Sequence, residues 1–334
     1  MARVAIAGAG LTGRLFAWAL AREGHSVSVF DPAPDAGARG AAAFTAAGML
    51  SPLAELESTD ADVAALGWTS LRLWPAIAPE QLRRDGSLLL AHRSDLGAAQ
   101  RVLARIGRFE MLDRAALQAL EPALAPGLLG WHLPGEGSID APAALAHLAR
   151  APAEWCWGQR VESIEPGRLH LADGRTVVAD WAIDARGLGA SWPLRGVRGE
   201  IVTLDLPGGH GLQRPLRLLH PRQPVYLVPR GPERLLVGAS EIESEDRSAM
   251  SLRSAVELMA AAHSVLPALA EARIALLDVN LRPALPDNRP LAHCEPGLLT
   301  LNGLYRHGWL LAPALVQQLL RESGLGALPE ETHA

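Results

Sequence analysis

Apolar residues at the start of the chain form a short run, a longer periodic stretch and a second short run. Arg3 to Ala7 is short, apolar and rich in β-branched residues, as expected of a buried parallel strand. Leu11 to Arg22 follows a glycine-rich break and places its apolar residues on one face of a helix. Ser26 to Phe30 is again short and apolar. Together these segments predict a βαβ unit.

Further along, helical and extended patterns alternate without an internal repeat or a long linker. Helical spacing predicts helices at Asp62 to Leu73, in the later part of Leu88 to Arg108 after a strand, and at Asp113 to Leu120, Ala141 to Ala149, Leu252 to Leu266 and Pro313 to Glu322. Apolar or alternating runs predict strands at Val161 to Ile164, Arg168 to Leu171, Thr176 to Val178, Trp181 to Asp184, Glu200 to Leu206, Val225 to Pro229, Arg234 to Gly238, Ala275 to Arg282 and Leu298 to Leu301. Pro134 to Gly137 is predicted as a loop, and Pro313 as the first turn of its helix. The mixture predicts an α/β (α+β) protein whose two domains are interwoven in sequence.

Three glycines at the first strand–helix junction form the pattern G-x-G-x-x-G. Gly8 permits a tight turn, Gly10 lets the backbone approach a pyrophosphate, and Gly13 lets helix and strand pack closely. Asp31 ends the second strand, where an acid accepts hydrogen bonds from a ribose diol. It also disfavours a 2′-phosphate unless Arg39 folds back towards it. This context predicts a dinucleotide site but does not choose between NAD and FAD.

Composition narrows the classes of partner. The 334 residues have a net charge of −5 and contain no lysine, so neither a basic nucleic-acid surface nor a lysine Schiff base is expected. Cys156 and Cys294 lie far apart, which predicts no disulfide framework and fits a reducing cytoplasm. No apolar run is long enough to span a bilayer, and no histidines have metal-ligand spacing. We therefore expect a cytoplasmic protein without metal, nucleic acid or stable membrane association.

Several later segments resemble the D-amino-acid oxidase superfamily of FAD-dependent oxidoreductases, and within it the glycine oxidases of the thiamin pathway. These segments are Ala46 to Pro52, Gly135 to Asp140, Tyr226 to Arg230 with Val237 to Ala239, Leu281 to Pro283 with Asp287, and Asn302 to Pro313. The resemblance implies noncovalent FAD on a Rossmann-type domain made of residues 1–78, 138–196 and 279–334. It implies an antiparallel-sheet substrate domain made of residues 79–137 and 197–278, in a homo-oligomer.

The activity that the resemblance implies is oxidative deamination of glycine or another small amino acid. A hydride passes from Cα to flavin N5, the imine hydrolyses to an oxo acid and ammonia, and O2 is reduced to H2O2. The implied FAD contacts are Gly8, Gly10, Leu11, Thr12, Gly13, Asp31, Thr45, Ala46, Ala47, Gly48, Met49, Val161, Gly187, Gly189, Arg282, Gly303, Arg306, His307, Gly308, Trp309 and Leu310. From the residues alone, Ala47 to Met49 fits a planar ring against the main chain and simple tight packing equally well.

For the substrate carboxylate, Arg306 is the first candidate, because its planar fork can bind two oxygens and it lies in the matching terminal loop. Tyr226 is second and Arg282 third, and no obligatory side-chain base is expected. The amine must be neutral to give up hydride, so the rate should rise with pH. His307 departs from the family pattern. A histidine there could titrate near neutral pH and tune the site, but we expect an inert surface histidine.

Three alternatives share the fold. A D-amino-acid dehydrogenase would pass electrons to a quinone, a catalytically silent FAD-binding subunit would oxidise no amine, and an RNA-modifying domain is disfavoured by the acidic balance of charge. The polar stretch from Glu241 to Met250 has no predicted place in the fold.

Overall fold

A computed structural model describes residues 1–221 and 224–330 of the chain. Its α-helices, α1 to α8, are Leu11–Arg22, Pro52–Glu55, Ala61–Ile77, Leu96–Ile106, Arg114–Leu120, Ala141–Leu148, Leu252–Val265 and Gly308–Ser323. Its strands, β1 to β20, are Arg3–Ala7, Ser26–Asp31, Met49–Leu50, Leu82–Arg83, Ser87–Ala91, Glu110–Leu112, Leu129–Leu133, Gly137–Ile139, Glu154–Trp157, Val161–Glu165, Arg168–Leu171, Thr176–Val178, Trp181–Asp184, Arg195–Asp205, Leu216–Leu218, Val225–Arg230, Arg234–Gly238, Arg273–Ala284, Leu291–Glu295 and Leu298–Asn302. Short 3₁₀ turns lie at Ala42–Phe44, Pro79–Gln81, Arg93–Asp95, Gly187–Gly189 and Pro267–Glu271.

A six-stranded sheet is built around the first strand, in the order β19-β20-β13-β1-β2-β9. All neighbours are parallel except β19 and β20. Side chains alternate along β1, so Val4 and Ile6 join a core with α1, α3, α6 and α8 on one face. Ala5 and Ala7 pack on the other face against the meander β10-β11-β12. Helices on one face and the meander on the other thus cover the parallel sheet.

An eight-stranded sheet forms the second layer, in the order β18-β14-β17-β16-β15-β5-β7-β6. Only β15 and β5 pair in parallel; the other neighbours are antiparallel. Helix α7 packs on the β14, β16 and β17 part of this sheet, around Leu258. Leu103 and Ile106 of α4 pack with Leu89 and Trp131 at its other end.

The predicted fold class is confirmed, and most predicted elements lie within two or three residues of their observed bounds. The strands not predicted are short or lack alternation: β3, β4, β6, β7, β8, β9, β15 and β19. The predicted loop from Pro134 to Gly137 ends at β8, which begins at Gly137. The division of the chain into two interwoven domains stays a prediction; β14 and β18 each run across a predicted boundary.

The predicted start of the last helix at Pro313 is wrong. Helix α8 begins at Gly308, so Pro313 is its sixth residue. Proline lacks the N–H that would bond the carbonyl four residues back. That carbonyl, of Trp309, instead accepts a hydrogen bond from the buried Trp74 indole Nε1 at 3.2 Å. The tertiary contact with α3 satisfies the freed acceptor, so the helix extends past the proline.

Candidate active site

A cavity of about 1490 Å³ lies beyond the carboxyl ends of the central parallel strands. Gly8, Ala185 and Gly303, which directly follow β1, β13 and β20, line it. Tyr226 and Arg282, from the eight-stranded sheet, line it from the other side. Ligands of open α/β sheets bind at this end of the strands. The volume exceeds the roughly 300–1,000 Å³ of most small-molecule pockets, which fits a long ligand.

The glycine turn has the geometry that its sequence predicts. Gly8 has a φ of +99°, and a Cβ there would lie 2.3 Å from the carbonyl oxygen of Ala185. A Cβ on Gly13 would lie 1.8 Å from the Gly8 oxygen, so helix and strand are in close contact. A Cβ on Gly10 would come no closer than 3.6 Å to another atom, the Ala41 Cβ. Hence Gly10 leaves open a position on the cavity wall that a side chain would fill.

Helix α1 begins at Leu11 with no side-chain cap and no acid in its first turn. Its first N–H groups therefore remain available to an anion in the cavity. Asp31 accepts hydrogen bonds from the backbone N–H of Ala9 at 2.6 Å and of Ala33 at 2.8 Å. Arg39 does not fold back to Asp31; it pairs with Asp278. This arrangement fits a diphosphate at the helix start and a ribose at Asp31.

Arg14, which the sequence did not single out, fixes the same turn from behind. Its buried guanidinium donates to the carbonyls of Ala9 at 2.7 Å, Ala36 at 2.8 Å and Leu145 at 2.9 Å. Burial lowers the pKa of Arg14 from its ordinary value, and the nearby Asp31 opposes the change. Its place directly after Gly13 is the one signal that could have identified it.

The segment Thr45 to Met49 forms another wall of the cavity. Met49 pairs with Ser138 between β3 and β8. Arg230 donates hydrogen bonds to the carbonyl of Ala47, and to that of Ile139 at 2.9 Å. The Thr45 hydroxyl donates to Asp278 at 3.0 Å. Contacts with β8 and with two strands of the eight-stranded sheet, β16 and β18, therefore fix this backbone. Ala46, Ala47 and Gly48 leave little side-chain bulk above it.

The start of α8 forms a further wall of the cavity. Gly308, Trp309 and Leu310 line it, and the helix start at Gly308 has neither a side-chain cap nor an acid in its first turn. The side-chain amide of Asn302, at the end of β20, donates to the Gly187 carbonyl at 3.0 Å. This bond connects the end of β20 to the 3₁₀ turn after β13. All the predicted cofactor and substrate residues line this cavity except Gly13, which packs behind Gly8.

The two candidate arginines differ in their partners. Arg306 donates to Glu241 Oε2 at 2.9 Å and lies 3.8 Å from Glu55. Arg282 donates from Nη1 to the carbonyls of Arg198 at 3.3 Å and Ser240 at 3.1 Å. Among the described residues, no carboxylate lies within ion-pair distance of Arg282. It therefore presents the less compensated positive charge to the cavity.

Tyr226, the second substrate candidate from the sequence, lies near both of these cations. Burial raises the pKa of its hydroxyl, while Arg282 and Arg306 act in the opposite direction. The ring packs on Gly238, where a Cβ would lie 2.5 Å from the tyrosine oxygen. The hydroxyl is therefore protonated at physiological pH and can donate a hydrogen bond to an anion.

A buried acid, Glu55, organises this end of the cavity and was not predicted. Arg217 donates to its Oε1 at 2.6 Å, and His307 Nδ1 lies 3.4 Å from its Oε2. Burial opposes ionisation, but Arg217, His307 and Arg306 together bring the pKa of Glu55 down to about 2. Nothing in the spacing of Glu55 or Arg217 along the chain indicated that the two meet.

The prediction of a surface histidine at position 307 is wrong. His307 is buried, with 7% of its surface exposed, at the start of α8. Burial lowers the pKa of its ring, and the nearby Glu55 carboxylate opposes this. The stretch from Glu241 to Met250, which had no predicted place, begins at the cavity. Glu241 lines the cavity and pairs with Arg306.

Other features of the described chain add no site. Cys156 and Cys294 are both free and partly buried. Within residues 1–221 and 224–330, no three His, Cys, Asp or Glu side chains are grouped to hold a metal ion. No helix in these ranges has the length and apolar character needed to cross a membrane.

Comparisons with known proteins give consistent matches along nearly the whole chain. The profile of the family described as FAD dependent oxidoreductase (DAO) matches residues 3–320. A Rhizobium etli protein provisionally named thiamine biosynthesis oxidoreductase ThiO is 39% identical over 96% of this chain and 95% of its own. The D-amino acid dehydrogenase of Methylobacterium nodulans is 26% identical over 99% of this chain and 97% of its own. The crystal structure of glycine oxidase from Geobacillus kaustophilus is 28% identical and has a TM-score of 0.79, covering 97% of this chain and 95% of that one.

Proposed function

Because the chain belongs to the DAO family of FAD-dependent oxidoreductases, we propose that it oxidises the amine of glycine or another small amino acid with oxygen as acceptor. The observation that carries the proposal is Arg282, a guanidinium without a carboxylate partner among the described residues, in the same cavity as the glycine turn. A small amino acid brings the carboxylate that such a group binds.

The residues of the cavity fit noncovalent FAD along its length. Gly10 and the start of α1 would hold the diphosphate, Asp31 the ribose, and the backbone of Val161 the adenine. The ring would lie between the Ala46 to Met49 backbone and the start of α8. The uncapped N–H groups at Gly308 favour negative charge at that end. When bound, FAD accepts two electrons and two protons from the amine and passes them to O2, giving an imine and H2O2.

The chain's own residues would bind and orient the substrate. We propose Arg282 as the principal carboxylate ligand, with the Tyr226 hydroxyl donating to the same group and Arg306 in a secondary role. This order differs from the sequence-based one because Glu241 already compensates Arg306. Anchoring the carboxylate would fix where Cα points, which is the orientation that the reaction needs.

No side chain is required to take a proton from Cα. Glu55 is ionised at any ordinary pH, and burial disfavours the charged form of His307. The groups around the substrate should therefore keep their charges near neutrality. The rate should rise with pH as the substrate amine becomes neutral, while bound FAD and the fold stay unchanged.

A D-amino-acid dehydrogenase is the second candidate, favoured by the 26% identity to the Methylobacterium nodulans protein of that name. It would use the same cavity and pass electrons to a quinone. The 28% identity to the glycine oxidase of Geobacillus kaustophilus supports the oxidase instead. The 39% identity to the Rhizobium etli protein supports a role in supplying thiamine synthesis. We further propose a cytoplasmic homo-oligomer.

The test is a steady-state assay of FAD-loaded protein with glycine, sarcosine and D-alanine. The oxidase proposal predicts that O2 uptake, H2O2 and oxo acid appear in equal amounts. Reduction of a quinone analogue without O2 uptake would replace it with the dehydrogenase. Absence of turnover with every amine and either acceptor would contradict both.

A further inference from the structure

Glu241 places a carboxylate inside the cavity, opposite one of its arginines. The Tyr305 hydroxyl donates to Oε1 at 2.5 Å, and Arg306 Nη1 donates to Oε2 at 2.9 Å. Both oxygens are therefore bonded by the loop that leads into α8. This is the arrangement that a ligand carboxylate would adopt on the same two donors.

The main chain around Glu241 holds the carboxylate at this position. Ser240 N–H donates to the Glu200 carbonyl at 3.2 Å, and Ile242 pairs with Arg198 of β14 through bonds of 3.0 and 2.9 Å. Residues on both sides are thus fixed to the eight-stranded sheet. The ion pair is partly exposed, with 45% of Glu241 and 32% of Arg306 accessible. A pair of this kind adds little stability, so its removal should leave the fold intact.

The charges around the substrate position are nearly balanced. Arg217 pairs with Glu55, and Arg306 pairs with Glu241. Arg282 is left for a ligand. A substrate with one carboxylate can bind Arg282 and leave every other pair in place. A second carboxylate near the amine would have to displace Glu241 from Arg306 or lie beside the Glu241 carboxylate. Two carboxylates in contact repel each other.

We propose that Glu241 determines substrate specificity by occupying the anion position at Arg306, so that the site accepts monocarboxylic amines and rejects dicarboxylic ones. The inference rests on the proposed function for its substrate class. It extends that proposal by assigning the selection to one side chain, whose hydrogen bonds are with Tyr305 and Arg306.

The test compares sarcosine with iminodiacetate, which differ by one carboxylate on the methyl group. FAD-loaded Glu241→Gln removes the charge and keeps the shape of the side chain. The ratio of kcat/KM for iminodiacetate to that for sarcosine should rise about tenfold, mainly through KM, because Arg306 then keeps only the more distant Glu55 carboxylate near it. Glu243→Gln, two residues away, is the matched control. Glu243 pairs with Arg195 instead, and its replacement should leave the ratio unchanged.

Ligand binding separates this inference from the proposed function. Acetate and malonate are titrated into FAD-loaded protein, and binding is followed by the change in the visible flavin spectrum. Malonate should bind about tenfold more tightly to Glu241→Gln, while acetate binding stays unchanged. If no amine is oxidised but malonate binding changes in this way, the proposed function fails and the role of Glu241 stands. If both ligands respond equally, or neither responds, the role of Glu241 is overturned.

Discussion

Arg282 and Arg306 line the same cavity but are compensated differently. Glu241 and Glu55 lie near Arg306, whereas backbone carbonyls are the partners of Arg282. A guanidinium whose hydrogen-bond partners are backbone carbonyls gains more from an incoming carboxylate than one that must first give up an acid. This contrast, and not the position of either residue in a motif, supports Arg282 as the carboxylate ligand.

Replacing each arginine by lysine tests that assignment. Arg282→Lys keeps the charge but loses the planar fork, so kcat/KM for glycine should fall roughly 10²-fold. In Arg306→Lys, kcat/KM for glycine should fall less than tenfold. Steady-state kinetics measure both, with FAD content and Tm as controls for folding. A larger loss in Arg306→Lys would restore the sequence-based order.

Glu136 is a fully buried carboxyl outside the substrate position. It accepts hydrogen bonds from the N–H groups of Leu53 and Ala54 and from the Ser87 hydroxyl. Burial raises its pKa from 4.5 to about 7, although these bonds favour the charged form. A raised pKa means that the folded state binds the proton more tightly than the unfolded chain. Stability from this group is complete below about pH 4.5 and is lost as the pH rises through about 7.

Glu136→Gln cannot titrate but keeps the shape and the hydrogen-bond geometry. The difference in unfolding free energy, variant minus unmodified protein, should therefore increase between pH 5 and pH 8, by at most about 3 kcal/mol. Chemical denaturation at the two pH values measures it. Glu80→Gln, at an exposed carboxylate, is the control. A difference that shrinks as pH rises would contradict the burial argument.

Individual contacts were predictable only where a motif fixes them. Gly8, Gly10 and Asp31 were identified from spacing, because strand, turn and helix are local in sequence. Glu55 and Arg217 meet across 162 residues, and no local pattern encodes that pairing. His307 was wrongly expected at the surface because its burial depends on the packing of α8.

The glycine turn separates two effects that sequence alone combines. A Cβ on Gly13 would overlap the Gly8 carbonyl, whereas a Cβ on Gly10 would meet only ordinary contact with Ala41. The first position is needed by the fold itself. Gly10, in contrast, is needed for a ligand to approach the start of α1.

We therefore expect Gly10→Ala to fold normally without FAD and to bind FAD at least tenfold more weakly, because the methyl group blocks the diphosphate. Gly13→Ala should lose stability whether or not FAD is present. Thermal melts of the apoprotein and FAD titration measure the two effects. Gly97→Ala, with open space around its Cβ, is the control. Unchanged FAD affinity in Gly10→Ala would contradict the assigned diphosphate position.

Helix α8 shows why element boundaries were less predictable than elements. Because proline lacks a backbone donor, the sequence predicts that the helix starts at Pro313. Side chains of α3 bond the backbone groups near Pro313. The Trp74 indole donates to the Trp309 carbonyl, and the Ser70 hydroxyl accepts from Ala314 N–H at 3.1 Å. The partners come from α3, more than 230 residues earlier, so the true start at Gly308 is a tertiary effect.

The molecule as a whole leaves an apolar edge exposed. Strand β18 ends the eight-stranded sheet, and Ile274, Leu276 and Leu277 on it are 42–54% exposed. Exposed edge strands with apolar side chains commonly pair with another chain. This edge supports the proposed homo-oligomer.

Ile274→Lys combined with Leu276→Lys should lower the molecular mass in solution to that of one chain, because the added charges oppose pairing at the edge. Size-exclusion chromatography with light scattering measures it. Val178→Lys, at an exposed position on the separate meander, is the control. An unmodified protein that is already monomeric at micromolar concentration would contradict the proposed oligomer.

The proposed activity requires that the cavity hold FAD and a small amino acid together. Purified protein is mixed with glycine in the absence of O2, and the visible flavin absorbance is followed. We expect a yellow protein whose absorbance bleaches with glycine and returns, with H2O2, when air is admitted. Two results would contradict the proposed activity. One is a colourless protein that takes up no FAD, and the other is a yellow protein that is bleached by neither glycine, sarcosine nor D-alanine.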